Sequence, residues 1–297
     1  MTYYEHSVAS GKEHYYAGAG EAQGRYAGEG ARLLGLAGEL RDGELTRLAT
    51  GLHPVTGERL RETAGAKSGT EIGAFDFTFS VPKSVSLLYA SRDRELSARI
   101  LDAHDRAVQA SLRVLEREAA FVRRGKGGVI RERVDGLVVA SYRHRTSRAG
   151  DPQLHEHAIV ANMARGPDGR WTALDSVRAR DFKMALGAIH EAELRANIAE
   201  LGLVWKPLDR KGLAELECID KPVLRAFSKR RAEIEEAALG SKESARAMAG
   251  AALSTRRVKW EVNMPAIERT VADALARPRL AEIRERTSAR SSQPAPA

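Results

Sequence analysis

The sequence predicts an α+β fold built around an antiparallel sheet, flanked by helices and followed by a mostly helical C-terminal region. Three observations lead there. Phe75-Asp76-Phe77-Thr78-Phe79 alternates with period two, the signature of a half-buried strand. Two further strand-like runs, Leu137 to His144 and Leu154 to Met163, are joined by a short polar loop. From Val177 onward the pattern becomes helical, so strands and helices come first and a helical third closes the chain.

Taken in order, the first 36 residues hold seven of the 26 glycines and five of the seven tyrosines. That spacing of glycines reads as a turn-rich arm with short helical pieces. A compact polar region follows and ends in the loop Thr63-Ala64-Gly65-Ala66-Lys67-Ser68-Gly69. After the phenylalanine strand, Ser80-Val81-Pro82-Lys83 reads as a helix start, with serine as cap and proline in the first turn. An amphipathic helical region then runs from Pro82 to Glu118, broken near Arg92-Asp93. Gly125-Lys126-Gly127-Gly128 is a turn between strands, without the spacing of a phosphate-binding P-loop. The loop between the next two strands spans Arg145 to Gln153, and Pro167-Asp168-Gly169 makes a hairpin turn before Trp171. One strand-like pair, Leu203 to Lys206 with Leu213 to Glu217, interrupts the helical third.

Composition excludes several classes. A chain of 297 residues with 43% hydrophobic and 30% charged residues is globular and long enough for a substantial core. No apolar run approaches the ~20 residues of a membrane span, so membrane insertion is not expected. Cys218 is the single cysteine, which excludes an intramolecular disulfide and a cysteine zinc cage. The opening Met1-Thr2-Tyr3-Tyr4-Glu5-His6 has neither the basic start nor the apolar stretch of a secretory signal, and the reading is a cytoplasmic protein. A net charge of +8 suits a polyanionic partner, although a basic solvated surface has the same charge.

Three of the eight histidines stand close together. His155 and His157 are two residues apart, so on a strand both rings leave the same face. His144 ends the preceding strand and reaches the same point if the two strands pair antiparallel. Three neutral imidazoles suit a divalent ion with positions left open for substrate. A lone pair of histidines at this spacing is commonly just hydrogen-bonded surface; the third gives the grouping its meaning. Asp76 faces away from the phenylalanines. It reads as a partner of a metal-bound histidine, as a base near the nucleophile, or as an exposed residue on the wet face. Tyr3-Tyr4 and Tyr15-Tyr16 form two adjacent pairs. A phenol with pKa near 10 needs help to ionise, yet it can carry DNA as a phosphodiester and preserve the bond for rejoining.

These residues together resemble a known family. Tyr3-Tyr4 and Tyr15-Tyr16, Gly35-Leu36-Ala37-Gly38, and Phe75 to Ser86 are similar to segments of TrwC/TraI-type (MobF) conjugative relaxases. The similarity continues through Ala103 to Val108 and Ala226 to Arg230. It is densest over Arg143 to Arg148 and Asp151 to Ala158, and covers residues 1 to about 275. The resemblance implies an HUH endonuclease with a palm-like central sheet, which nicks one strand at a plasmid transfer origin and stays attached to its 5′ end. It implies His144, His155 and His157 as ligands of a divalent metal (Mg, Mn or Zn) and Asp76 as the acidic residue of the active site. Tyr3 would be the first nucleophile, with Tyr15 or Tyr16 serving a second cleavage.

Its partners would be single-stranded DNA and the adjacent DNA hairpin, with accessory relaxosome and coupling proteins, and the C-terminal helices would close over the strand. Lys83 at a helix start and Arg148 in a loop are candidate phosphate contacts. The expected organisation is one relaxase domain over 1–285 and a disordered tail over 286–297, without a helicase domain. The sequence departs from the family where only Met1 and Thr2 precede Tyr3 instead of a first strand, and where the Tyr3-to-Tyr15 spacing is long. Rival readings are a rolling-circle replication initiator or transposase, in which the catalytic tyrosine usually follows the histidine pair, and a non-catalytic DNA-binding fragment.

Overall fold

The computed structural model describes residues 22–61, 72–210, 212–238, 245–255 and 263–275. The described chain runs β1 (Arg25–Ala27), α1 (Glu29–Leu33), α2 (Glu44–Ala49), β2 (Ala74–Ser80), α3 (Lys83–Tyr89), α4 (Arg94–Ala119), β3 (Phe121–Arg124) and β4 (Ile130–Arg133). It continues with β5 (Val139–Thr146), β6 (Pro152–Ala161), β7 (Ala164–Arg165), β8 (Trp171–Thr172), α5 (Ser176–Asp181) and α6 (Lys183–Glu200). The helices α7 (Lys221–Ala226), α8 (Lys229–Ala237), α9 (Ala245–Ser254) and α10 (Met264–Ala274) complete it. No described helix is long and apolar enough to cross a membrane. The loop 63–69 and the tail 286–297 lie outside the described residues.

The chain divides into two compact units. One takes the described residues up to Phe79 with Ala107–His144 and His155–Ala192; the other takes Ser80–Arg106, Arg145–Leu154 and the described residues from Glu193 on. In the first, four strands form a sheet in the order β1-β5-β6-β2. The backbone bonds Ala161 N to Val138 O and Asn162 N to Gly73 O fix β6 antiparallel to both neighbours. The phenylalanines of β2 behave as their alternation requires: Phe75, Phe77 and Phe79 pack with Val139, Ala158 and Val160 against Val108, Leu112 and Leu115 of α4. The opposite face begins apolar, with Ala74, Ala140, Tyr142 and Ile159 against Leu40, Leu45 and Ala49.

Three sequence expectations are corrected. The glycine-rich start is not simply an arm, since Arg25, Tyr26 and Ala27 pair with Ser141, Ala140 and Val139 as the edge strand of the sheet. Two of its glycines serve close packing. A Cβ on Gly24 would stand 2.4 Å from the Tyr142 ring, and one on Gly30 would stand 2.7 Å from the Leu137 carbonyl carbon. The loop after β5 is also shorter than expected, because pairing continues to Thr146 and resumes at Pro152. Ser147 closes it, its backbone N donating to Asp151 O at 2.8 Å and its Oγ accepting from Asp151 N at 3.2 Å. Finally, Ser80 ends β2, and the residue capping α3 is Pro82. The break near Arg92-Asp93 is present: Arg92 has φ +68°, and Asp93 Oδ1 accepts from Leu96 N at 3.1 Å.

In the second unit, the strand-like pair is a short ladder centred on Trp205 and Leu216. It is tied to α3 by Leu216 N donating to Ser84 Oγ at 2.8 Å and Ser84 N donating to Glu215 Oε2 at 2.7 Å. Asp151 Oδ2 accepts from Arg230 N in the first turn of α8 at 3.2 Å.

Candidate metal centre

The apolar face made by Ala140, Tyr142 and Ile159 changes character along the strands. On β5 the same alternation continues from Ala140 and Tyr142 to His144; on β6 it runs back from Ile159 to His157 and His155. On β2 it runs from Ala74 to Asp76 and Thr78. One sheet face therefore passes from a packed core to a cluster of imidazoles and a carboxylate.

His144, His155 and His157 each offer a nitrogen within 4.8 Å of the others. Their rings meet edge to face, with centroids 5.2 Å apart for His144 and His155, 4.9 Å for His144 and His157, and 5.2 Å for His155 and His157. His144 is fully buried and His157 nearly so, while His155 is half-exposed. The cluster thus has a protein side and an open side.

Behind it, His157 Nδ1 lies 2.9 Å from Asp76 Oδ2 and 3.0 Å from Oδ1. A carboxylate only accepts, so Nδ1 carries the proton and Nε2 keeps the lone pair. Thr78, two residues along β2 on the same face, donates from Oγ1 to Asp76 Oδ1 at 3.2 Å and lies 3.1 Å from His157 Nδ1. Sequence reading missed Thr78, although its period-two relation to Asp76 placed it there. On the other face of β6, Glu156 accepts from Ser141 Oγ and, at 3.2 Å, from Arg143. That satisfied carboxylate sits between the two β6 histidines in sequence, yet points away from them.

The donor set of three imidazoles fits a divalent ion that takes nitrogen, such as zinc or copper. Magnesium, which prefers oxygen ligands, is the poorest match among the expected ions.

The remaining site residues separate. Lys83 is the first residue of α3, and its Nζ donates to Pro152 O at 2.6 Å. Burial pushes its ammonium pKa down, against the opposing pull of Asp151 and Glu215. One of its three donors is thus engaged within its own unit, and the side chain is only partly exposed. Arg148 stands half-exposed in the 147–151 loop. Tyr3, Tyr4, Tyr15 and Tyr16 lie outside the described residues.

Comparison with known proteins matches the profile of the TrwC relaxase family over residues 1–277. The chain is 34% identical over 261 residues to the multifunctional conjugation protein TraI of Escherichia coli, covering 85% of this chain. It spans about 14% of that relative's length. Among solved structures, the metal-bound conjugative relaxase TrwC in complex with oriT DNA aligns with a TM-score of 0.79 and 32% identity, covering 91% of this chain and 94% of that one. TrwC complexed with a 27-mer DNA comprising the recognition hairpin and the cleavage site aligns with a TM-score of 0.75 and 32% identity, covering 89% and 92%.

Proposed function

This chain belongs to the TrwC relaxase family, and on that premise we propose that it nicks and rejoins one DNA strand at a plasmid transfer origin through a 5′-phosphotyrosine link. The observation that carries the reading is the triad of His144, His155 and His157 with Asp76 fixed behind His157. The three imidazoles hold a divalent ion, whose chemistry when bound is to offset charge building on the scissile phosphate. That relatives of this similarity are metal-bound and complexed with oriT DNA supports both the ion and the substrate.

Asp76 is a positioning residue. Both of its oxygens face His157 Nδ1, so it sets the tautomer and ring angle of that ligand. In the nicking step a tyrosine oxygen forms the new bond to phosphorus while the bond to the 3′ oxygen breaks. The phenol loses a proton, and the 3′ hydroxyl leaves having gained one. Attack by that hydroxyl reverses the step, which is why a tyrosine serves where rejoining is needed and an activated water does not. Motif position supports Tyr3 as first nucleophile, Tyr4 as its neighbour, and Tyr15 or Tyr16 for a second cleavage. The net charge of +8 supports binding of a single strand with its hairpin, Arg148 being a candidate phosphate contact. The same reading takes 1–285 as one relaxase domain followed by a tail, acts on plasmid DNA in the cytoplasm, and leaves accessory relaxosome and coupling proteins as further partners.

The test is a single-stranded oligonucleotide carrying the cognate transfer origin, incubated with protein and manganese or zinc and resolved under denaturing conditions. A covalent protein–DNA adduct is expected, mapping to Tyr3 and lost in Tyr3→Phe. Replacing His155 and His157 together with Ala should abolish both the adduct and metal binding. Failure of the parent protein to cleave or attach would sink the catalytic reading; an undiminished adduct in Tyr3→Phe would move the nucleophile to Tyr15 or Tyr16.

A further inference from the structure

The β3–β4 ribbon places two arginines where a ribbon should not want them. Its register sets Arg123 directly opposite Arg131, and Phe121 opposite Arg133, with all four on one face. The other face carries Val122, which is fully buried in the core. Like charges directly opposite on a ladder repel. What holds these two is Asp175, whose Oδ2 lies 2.9 Å from Arg131 Nε and 3.4 Å from Arg123 Nε. The Asp175 side chain is only 1% exposed, and its backbone N donates to Phe121 O at 2.7 Å, so the carboxylate is anchored to the ribbon.

One buried carboxylate needs one guanidinium to balance it. The second is surplus, and both arginine side chains remain about half exposed, at 47% and 50%. The surroundings add to the excess. Arg133 donates to Arg117 O, and Arg178 donates to Glu118 O at 2.9 Å, at the C-terminal end of α4. Their guanidiniums also lie over the Phe121 ring, 5.3 and 4.9 Å from its centroid. Arg117 pairs with Glu118 at 2.7 Å. On this face five arginines meet two carboxylates. Arg133 and Arg178 have a structural task in capping the carbonyls of α4. The Arg123 and Arg131 pair has no such task that one arginine would not discharge.

From this geometry we propose that Arg123 and Arg131, with Arg133 beside them, form a sequence-neutral contact for the phosphate backbone of duplex DNA. Arg131 and Arg133, alternate positions on β4, stand ~6.6 Å apart along the strand, and Arg123 lies across the ladder with its Cβ about 5 Å from that of Arg131. The first spacing equals about two steps of a strand bearing one charge per ~3.4 Å of axis. Proteins that hold single strands add exposed aromatic rings on which bases stack. The aromatic ring on this face, Phe121, is already covered by two guanidiniums, which favours backbone contact with a duplex. The inference rests on the DNA-nicking reading only for its choice of polyanion.

The experiment measures anisotropy of a labelled duplex of arbitrary sequence, and separately of an arbitrary single strand, between about 50 and 200 mM salt. The full chain is compared with Arg123→Gln/Arg131→Gln and Arg123→Lys/Arg131→Lys. For the duplex, the glutamine pair should lower the log–log salt slope by about two and weaken low-salt binding at least about tenfold. The lysine pair should keep the slope. Unchanged duplex binding in the glutamine pair, a loss confined to the single strand, or an equal loss of slope in the lysine pair would each overturn the proposal. Cleavage of a single-stranded origin oligonucleotide is followed in parallel. A parent that cleaves, with a glutamine pair that binds duplex normally, refutes the ribbon alone; a parent that never cleaves, with the slope drop present, refutes the nicking alone.

Discussion

The carboxylate of Asp76 and the Nδ1 of His157, 81 residues apart in sequence, stand 2.9 Å from each other on neighbouring strands. The pair orients a metal-ligand candidate from behind, and substitution should register first in metal affinity. Asp76→Asn keeps an acceptor but removes the charge, and Asp76→Ala removes both. Calorimetric titration with zinc or manganese should show affinity lowered by about 10- to 100-fold, more for Ala than for Asn. Equal affinity in Asp76→Ala and parent would mean that Asp76 does not position His157.

Lys83 should behave as a structural residue. Its ammonium donates to Pro152 O and faces Asp151 and Glu215. Lys83→Ala leaves those carboxylates without that cation, and chemical denaturation should show a loss of about 1–3 kcal/mol. The salt slope of single-stranded DNA binding should stay as in the parent. A slope lowered by about one would return Lys83 to the phosphate contacts.

Gly24→Ala is expected to destabilise the sheet edge. The added Cβ would stand 2.4 Å from Tyr142 Cε1, and that ring is buried, with only 2% exposure, and has no room to retreat. Overpacking of this kind costs about 1–3 kcal/mol. Thermal or denaturant melting of Gly24→Ala alone and combined with Tyr142→Leu should give a non-additive result, the two changes together costing less than their sum. Strict additivity would show that the two residues do not meet.

His190 gives the fold an acid-labile element. Burial beside Phe79, with ring centroids 5.3 Å apart, pushes its pKa down to about 4. The unfolded chain therefore takes up a proton near pH 6.5 that the folded chain refuses until pH 4. Stability is then complete above about pH 6.5 and falls as pH drops toward 4, by about 3 kcal/mol across the window. Denaturation curves at several pH values should show this fall reduced in His190→Gln, whose side chain does not titrate. Parallel pH profiles for the two proteins would remove His190 from the account.

Sequence alone determined the strands and the facing of their side chains. Period-two alternation sent Phe75, Phe77 and Phe79 to one side and Asp76 to the other, and it gave His155 and His157 a common face. These are local properties, fixed by the pleat wherever the strand pairs. The break at Arg92-Asp93 was legible for the same reason, as an interruption within a single helical pattern. Tertiary structure decided what no local pattern contains. Register between β2 and β6 placed Asp76 at Nδ1 of His157 and Thr78 beside them both. The ladder of β1 on β5 turned a glycine-rich stretch into a sheet edge, where glycine answers close approach as well as chain reversal. Lys83, a candidate phosphate contact by sequence, is a half-buried donor to Pro152 O with Asp151 and Glu215 near it, partners that come from distant segments. The common physical reason is that side-chain direction follows from neighbouring backbone geometry, whereas partner identity follows from strand register and packing between segments tens of residues apart.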